Sequence, residues 1–507
     1  MTRPNILLIT SDQQRGDCFG FEGRRVRTPH LDRLAAEGTR FSAAICPSLV
    51  CQPARASMLT GLLPLTHGVH DNGIDLDPAV GEHGFAGQLA AAGYATAFFG
   101  KAHFSTYHTF RPTGTPECVA SSAAYGPDWF GPYMGFGHAE LMLVGHNWFP
   151  PETPPRGQHY ERWFHADGHG DEKIAAYRRA VGDTKGAAQC WHSDLPLGWH
   201  NTPWTADRAI AWLQSRPTDR PFCAWVSFPD PHHPFDCPLP WSRLHDPADV
   251  DLPPHRTRDL DRRPWWHQAV LESEPVGPPD AVATRKAYSR IPPQGDEQLR
   301  EIIANTYGMI SMIDHEVGRL LIALRDLGIE RDTLVVFTSD HGDWLGDHGL
   351  LLKGPMPYEG LLRVGLILRG PGVPAGRVVA DPVGTLDLAP TFLDLAGVTP
   401  VGAFHGGSLL PLLRGEGSRK VALSEWELLP ARTGVALSLR IARGKRWKLA
   451  VDLRSGAGEM YDLQDDPHEL RNRFGDPACA AEQAELEAAI RARPADAGPL
   501  REPVGTA

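Results

Sequence analysis

Through its first 400 residues the chain alternates short, wholly apolar runs with longer stretches whose apolar residues recur at helical spacing. The apolar runs Ile6–Thr10, Tyr94–Phe99, Phe222–Phe228, Thr333–Thr338 and Leu366–Arg369 predict buried strands. Between them, Thr28–Gly38, Pro53–Gly61, Phe85–Ala92, Ala206–Ser215, Glu297–Leu327 and Thr385–Ala396 predict helices, several closed by a glycine. Such alternation predicts an α/β fold, a large, mostly parallel sheet flanked by helices on both faces. Two segments, 104–205 and 236–293, are dense in Gly, Pro, Trp and His and hold neither period. They are expected to be long ordered insertions that shape a pocket. Beyond residue 400 the runs shorten to Val421–Trp426, Ser438–Ala442, Trp447–Val451 and Met460–Leu463. The expected division is a catalytic α/β domain over 1–400, a small antiparallel C-terminal subdomain over 401–490, and a loose tail over 491–507.

Composition narrows the class. The 507 residues are 42% hydrophobic and 22% charged, with a net charge of −11. That balance argues against a nucleic-acid or anionic-membrane partner, yet leaves room for a local basic pocket. No apolar run approaches the roughly 20 residues of a bilayer span. The apolar stretch near Met1 suits a strand better than a signal peptide. Eight scattered cysteines do not form a disulfide framework. The expected address is cytoplasmic, and a homo-oligomer stays open.

The polar groups that follow the strands carry the chemistry. Asp12 follows the first run, Lys101 and His103 the second, His232 and His233 the third, and Asp340 with His341 the fourth. In open α/β sheets, ligands bind at the carboxyl ends of strands. Asp12 and Asp340 offer hard oxygens and His341 a nitrogen, a donor set for a divalent cation. Lys101 and His103, at alternate positions, would face one pocket on an extended backbone. One of His232 and His233 could act as a general acid. Cys51 precedes a helix with Pro53 at its expected first position. There the exposed N–H groups favour a thiolate or a bound oxyanion, and Arg55 adds a charge one turn on. Singly, each has a plain reading: Cys51 as a small buried hydrophobe, Asp12 as a turn residue, Lys353 as a solvated lysine, Asp347-His348-Gly349 as a turn. Together, a metal, two lysines, an arginine and histidines around a nucleophile suit a tetrahedral oxyanion ester.

These residues resemble the sulfatases of the alkaline-phosphatase-like superfamily. Cys51-Gln-Pro-Ala-Arg55 matches their Cys-x-Pro-x-Arg signature, and Gly93–His103 resembles the second signature. Ser227–Pro234, Thr338–Gly342 and Tyr461–Asn472 match further blocks, in order along the chain. The resemblance implies that Cys51 is converted by a formylglycine-generating enzyme to formylglycine, whose hydrate attacks the sulfur of a small sulfate ester. It implies metal ligation by Asp12, Asp340, His341 and the modified Cys51, with Gln13 a further candidate. Calcium is the expected ion, with manganese or magnesium as alternatives. Asp340 would help activate the nucleophile and His232 would protonate the leaving alcohol. His103 would be the base, Lys101 and Lys353 would hold the sulfate, and Arg55 would steady the diol. One departure is Gln13, where many sulfatases have a second aspartate. Asp-Gln also occurs in phosphonate monoester hydrolases and choline sulfatases, so a phosphonate monoester or phosphodiester hydrolase is the alternative. A non-catalytic anion binder and an unmodified Cys51 thiolate enzyme are the remaining readings.

Overall fold

A computed structural model describes residues 3–146 and 148–506. Its centre is an eight-stranded sheet in the order Arg377–Val379, Thr39–Phe41, Leu366–Arg369, Thr333–Ser339, Asn5–Ser11, Phe222–Ser227, Ala95–Gly100, His138–Leu141. Every pairing is parallel except the two made by Leu366–Arg369. Successive residues of the central strands enter separate cores, which is why those strands are apolar without alternation. Ile6 and Leu8 join one core with helices Cys51–Thr60, Phe85–Ala91 and Leu388–Ala396. Leu7 and Ile9 join the other with helices Pro29–Ala36, Asn201–Ser215 and the C-terminal half of Asp296–Asp326.

The two aperiodic segments hold more regular structure than the sequence predicts. The first contains the edge strand His138–Leu141, helices His159–His165 and Gly170–Arg178, and the first turn of Asn201–Ser215. The second contains helices Trp265–Glu272 and Pro279–Tyr288. These elements are too short, and too rich in aromatic and polar residues, to display a period.

The C-terminal strands Val421–Leu428, Leu437–Gly444, Trp447–Asp452 and Gly458–Asp462 form an antiparallel sheet in chain order. One face packs on helix Ala480–Arg491 through Leu449, Met460 and Leu486. The other sends Trp426, Leu439, Ile441 and Tyr461 into the main core, so this sheet completes the larger domain's packing. The tail is not loose. Gly498 N–H donates to the Leu65 carbonyl at 2.8 Å and Val504 N–H to the Gly73 carbonyl at 2.7 Å. Phe110 and Thr506 extend this pairing, through Val504 and His108, along the loop after residue 104. Backbone hydrogen bonding, which composition does not encode, holds this hydrophilic segment.

The strand exits are tightly built. Gly100 adopts φ 97°, and a Cβ there would meet the Ser227 carbonyl oxygen at 2.1 Å. Both the left-handed backbone and the approach of a neighbouring main chain require glycine. Gly100→Ala is therefore expected to destabilise the fold by about 1–3 kcal/mol. The expected readout is a lower urea midpoint at unchanged m-value, and an unchanged midpoint would show that this exit can shift freely.

Candidate functional site

Parallel pairing sets the site. Ser11 lies in register with Ser339, so Asp12 and Asp340 leave adjacent strands side by side. Gly100 is in register with Ser227 on the next pair, which delivers Lys101 to the same edge. Helix Cys51–Thr60 approaches this edge with all ten of its residues buried. It begins at Cys51, not at Pro53, so the proline occupies the third helical position. Backbone N–H groups of the first turn have no helical partner, and the ring is accommodated there. Gly61 closes the helix in the left-handed conformation, as its sequence position implies.

Arg55 ties the elements together. Its Nε lies 2.9 Å from Asp340 Oδ2 and its Nη2 3.1 Å from Asp12 Oδ2. Its Nη1 donates to the Lys101 carbonyl at 2.8 Å and to Ser227 Oγ at 2.7 Å. Lys101 Nζ also reaches Asp12 Oδ2 at 2.6 Å. Burial alone would raise the pKa of Asp12, but Lys101, Arg55, Lys353 and His341 together hold it far below the ordinary carboxylate range. Lys101 is likewise held protonated against its own burial, chiefly by Asp12.

Cys51 stands where these groups converge. Its Sγ is 2.9 Å from Lys353 Nζ, 3.1 Å from His341 Nε2 and 3.7 Å from Asp12 Oδ1. Burial and Asp12 oppose ionisation of the thiol, yet Lys353 and His341 bring its pKa below the usual value. One donor atom from each of Asp12, Cys51, Asp340 and His341 lies within 4.8 Å of the others, all buried, so the set fits a single cation. His341 Nδ1 is 2.8 Å from the Gly342 carbonyl, which can only accept. The neutral ring therefore carries its proton on Nδ1 and turns the Nε2 lone pair toward Cys51. Asp340 and Cys51 draw a second proton to His341 against burial and Lys353, so a cation would compete with that proton.

Gln13 takes φ 67° and donates its Nε2 to Asp343 Oδ2 at 2.6 Å. That contact orients the amide and leaves Oε1 buried without a partner among the described residues, an oxygen open to a cation.

Lys101, His103, Tyr107, His232 and Lys353 line one cavity with Cys51, of about 100 Å³. His103 reaches it from a left-handed residue, φ 52°, and not from the extended segment expected from its spacing. Its ring stacks on Tyr107 at 4.6 Å, and both ring nitrogens are unpartnered among the described residues. Burial, then Lys101 and Arg55, depress its pKa well below the usual histidine value. His232 donates Nδ1–H to the His233 carbonyl at 2.5 Å and presents Nε2 to Lys353 Nζ at 3.0 Å. Burial and Lys353 depress its pKa as well. Asp347 and His348 sit apart in a turn, with Asp347 on Arg15 and His348 stacked on Tyr358.

Glu117 is a supporting residue that sequence reasoning did not identify. It accepts the N–H groups of His103, Phe104 and Ser105 and the Tyr133 hydroxyl, which fixes the loop carrying His103. Burial raises its pKa to about 7. The segment around Glu117 carries no period, and only a glutamate with no surface role could have marked it.

A family model described as Sulfatase matches residues 4–398, and one described as N-sulphoglucosamine sulphohydrolase, C-terminal, matches 346–495. The chain is 27% identical to the N-acetylglucosamine-6-O-sulfatase of Bacteroides thetaiotaomicron, over 96% of this chain and 85% of that protein. It is 29% identical to the choline-sulfatase of Rhizobium meliloti, with the same two coverages of 96% and 85%. The crystal structure of the phosphonate monoester hydrolase of Agrobacterium radiobacter superposes with a TM-score of 0.74 at 28% identity, covering 97% of this chain and 96% of that one. A family model spanning most of the chain, together with this arrangement of strand ends, places the protein in the sulfatase family of sulfuric ester hydrolases, with the alkaline-phosphatase-like fold.

Proposed function

We propose that the protein hydrolyses a small-molecule sulfate ester with Cys51 matured to formylglycine and a divalent cation, calcium first among the candidates, at Asp12, Asp340 and His341. The observation that carries this is the position of Cys51. Its Sγ, which marks where the diol oxygens would stand, touches the cation donors on one side and Lys353 on the other. When present, the modified residue supplies a hydroxyl nucleophile, and the cation supplies Lewis acidity toward it and the sulfate oxygens.

The chain's own groups do the rest. Arg55 bridges Asp12 and Asp340 and aims both carboxylates at the cleft. Lys101 and Lys353 flank Cys51 and are placed to hold sulfate oxygens through charge-assisted hydrogen bonds. His232 Nε2 shares a proton with Lys353 and can pass it to the leaving oxygen. His103, held neutral by its depressed pKa and with ring nitrogens unpartnered among the described residues, is the base that takes the proton released when sulfate departs. Because Cys51–Thr60 is wholly buried, maturation by a formylglycine-generating enzyme would act on the Cys51–Arg55 segment before the chain closes around it.

A second reading has a specific basis. Gln13 in place of an aspartate, with the likeness to a phosphonate monoester hydrolase, fits a phosphonate monoester or phosphodiester substrate. Lys101 and His103 favour the sulfate.

Four measurements test these assignments. Mass spectrometry of the peptide bearing Cys51, from protein co-expressed with a maturing enzyme, should show the aldehyde. Cys51→Ala should lower kcat by on the order of 10⁴-fold or more. Intact thiol in fully active protein would overturn the mechanism. Paired kinetics on matched aryl sulfates and aryl phosphonates should favour the sulfate, and a phosphonate preference of orders of magnitude would select the second reading. Finally, a base with a depressed pKa stays deprotonated until the pH falls through that lowered value. The acid limb of kcat should therefore lie below the ordinary histidine pKa of about 6.5 and disappear in His103→Gln. An acid limb above that value, or one unchanged in the variant, would reassign the base.

A further inference from the structure

The catalytic cavity contains more positive charge than a single sulfate uses. Arg285, from helix Pro279–Tyr288, and Arg432, from the short helix Pro430–Thr433, line it together with Cys51, Lys101 and Lys353. Both are buried, Arg285 at 9% exposure and Arg432 at 7%. Neither is well paired. Arg285 donates to the Thr506 carbonyl, a neutral acceptor. Arg432 lies over the Trp426 ring at 5.5 Å and meets Asp71 Oδ1 only at 3.5 Å, while that oxygen already accepts the Asn72 N–H at 2.8 Å. Burial first, and then the nearby Arg432, lower the pKa of Arg285 to about 9, and Asp71 offsets this only in part.

The space beyond points the same way. A second cavity of about 330 Å³ shares His233, Ser289, Lys353 and Arg432 with the first. It adds Arg258, Lys286 and Arg290, and no aspartate or glutamate among the described residues lines it. Lys286 is paired with Glu274, and Arg290 donates to backbone carbonyls, so Lys353, beside the nucleophile, and Arg432, farther out, are the basic groups that serve both spaces. The carboxylates of the catalytic cavity are Asp230, bonded to Thr202, and Asp236. In a chain of net charge −11, a basic tract running outward from the nucleophile is a local exception.

We propose that the leaving alcohol of the substrate carries a second anionic group, a carboxylate or a further sulfate, held by Arg285 and Arg432. This rests on the sulfate-ester reading above. A planar guanidinium binds either oxyanion through a two-pronged fork, and two such forks leave a neutral leaving group without compensation for the desolvated charge. They oppose a cationic leaving group outright. The substrate class is thus a sulfate ester of an acidic or multiply sulfated alcohol, not of a quaternary amine.

The test compares 4-carboxyphenyl sulfate, hydroquinone disulfate, neutral 4-carbamoylphenyl sulfate and choline sulfate, using matured enzyme and its Arg285→Gln and Arg432→Gln variants. Wild type should prefer a dianionic ester over the neutral one by about 10–100-fold in kcat/KM, chiefly through KM, and should turn over choline sulfate least. The carboxylate and disulfate arms identify which anion is read. Each variant should erase that preference while leaving kcat on the neutral ester within about two-fold. No preference in wild type, or one untouched in both variants, would overturn the proposal. So would an equal loss on all esters with a lowered melting temperature, which would make Arg285 an anchor for the segment at Thr506 and Arg432 a packing partner of Trp426. If no sulfate ester is turned over, the same pairs as phosphonates separate the two claims. A retained dianion preference would keep the arginine subsite and reject only the sulfate reading.

Discussion

The site depends on one buried fork, the guanidinium of Arg55 between Asp12 and Asp340. All three side chains are fully excluded from solvent. Two carboxylates side by side in such a place would repel each other and resist ionisation. At Asp12, Lys101 and Arg55 together reverse that preference, and the planar, permanently charged head of Arg55 meets both carboxylates and two further acceptors at once. A lysine there would offer a point charge without the geometry. The cluster as a whole holds three cations, Arg55, Lys101 and Lys353, against two carboxylates, so it is poised for an anion even before a cation is added.

That fork also explains why the fold and the site cannot be separated. Arg55 comes from a helix on one face of the sheet, Asp12 and Asp340 from two adjacent central strands, and Ser227 from a third. Register determines where each strand ends, and register follows from two apolar cores against which the central strands are buried at every residue but Asn5. The insertions then add what the sheet lacks. They supply walls, through Tyr107 and Tyr288, and charge at a distance from the nucleophile, through Arg285.

How much could be read beforehand follows the same division. Asp12, Lys101, Asp340 and His341 were legible because each follows a long apolar strand, and parallel strands open their carboxyl ends on one edge. The helix after Cys51 was legible from Gly61, though Pro53 marked its third position and not its first. Leu366–Arg369 was legible as a strand but not as the antiparallel one, since direction depends on connections that hydropathy does not carry. His138–Leu141 pairs at the sheet edge with a four-residue His-Ala-Glu-Leu sequence that has no strand pattern of its own. Glu117, Arg285 and Arg432 were illegible for a different reason. Their importance lies in contacts between segments far apart in the chain, and a lone charged residue in an aperiodic stretch looks like any solvated one. The tail after residue 491 misled in the same manner, being hydrophilic yet fastened through its backbone.

Gln13 shows how a single neutral substitution redistributes this charge. An aspartate there would add a third carboxylate to the pair that Arg55 already serves. The amide instead donates to Asp343 and leaves its own oxygen uncharged, buried and without a partner among the described residues. Burial raises the pKa of Asp343, and the bond from Gln13 is among the contacts that offset this. A less anionic donor set binds a divalent cation less tightly but leaves more of its positive field for the substrate. The three basic groups around Cys51 reinforce that field, and Arg285 and Arg432 extend it outward along the cavity. On the proposed reading, charge withheld from the cation donors is directed at the ester, and discrimination among esters passes to the groups farther out, where Arg285 and Arg432 stand.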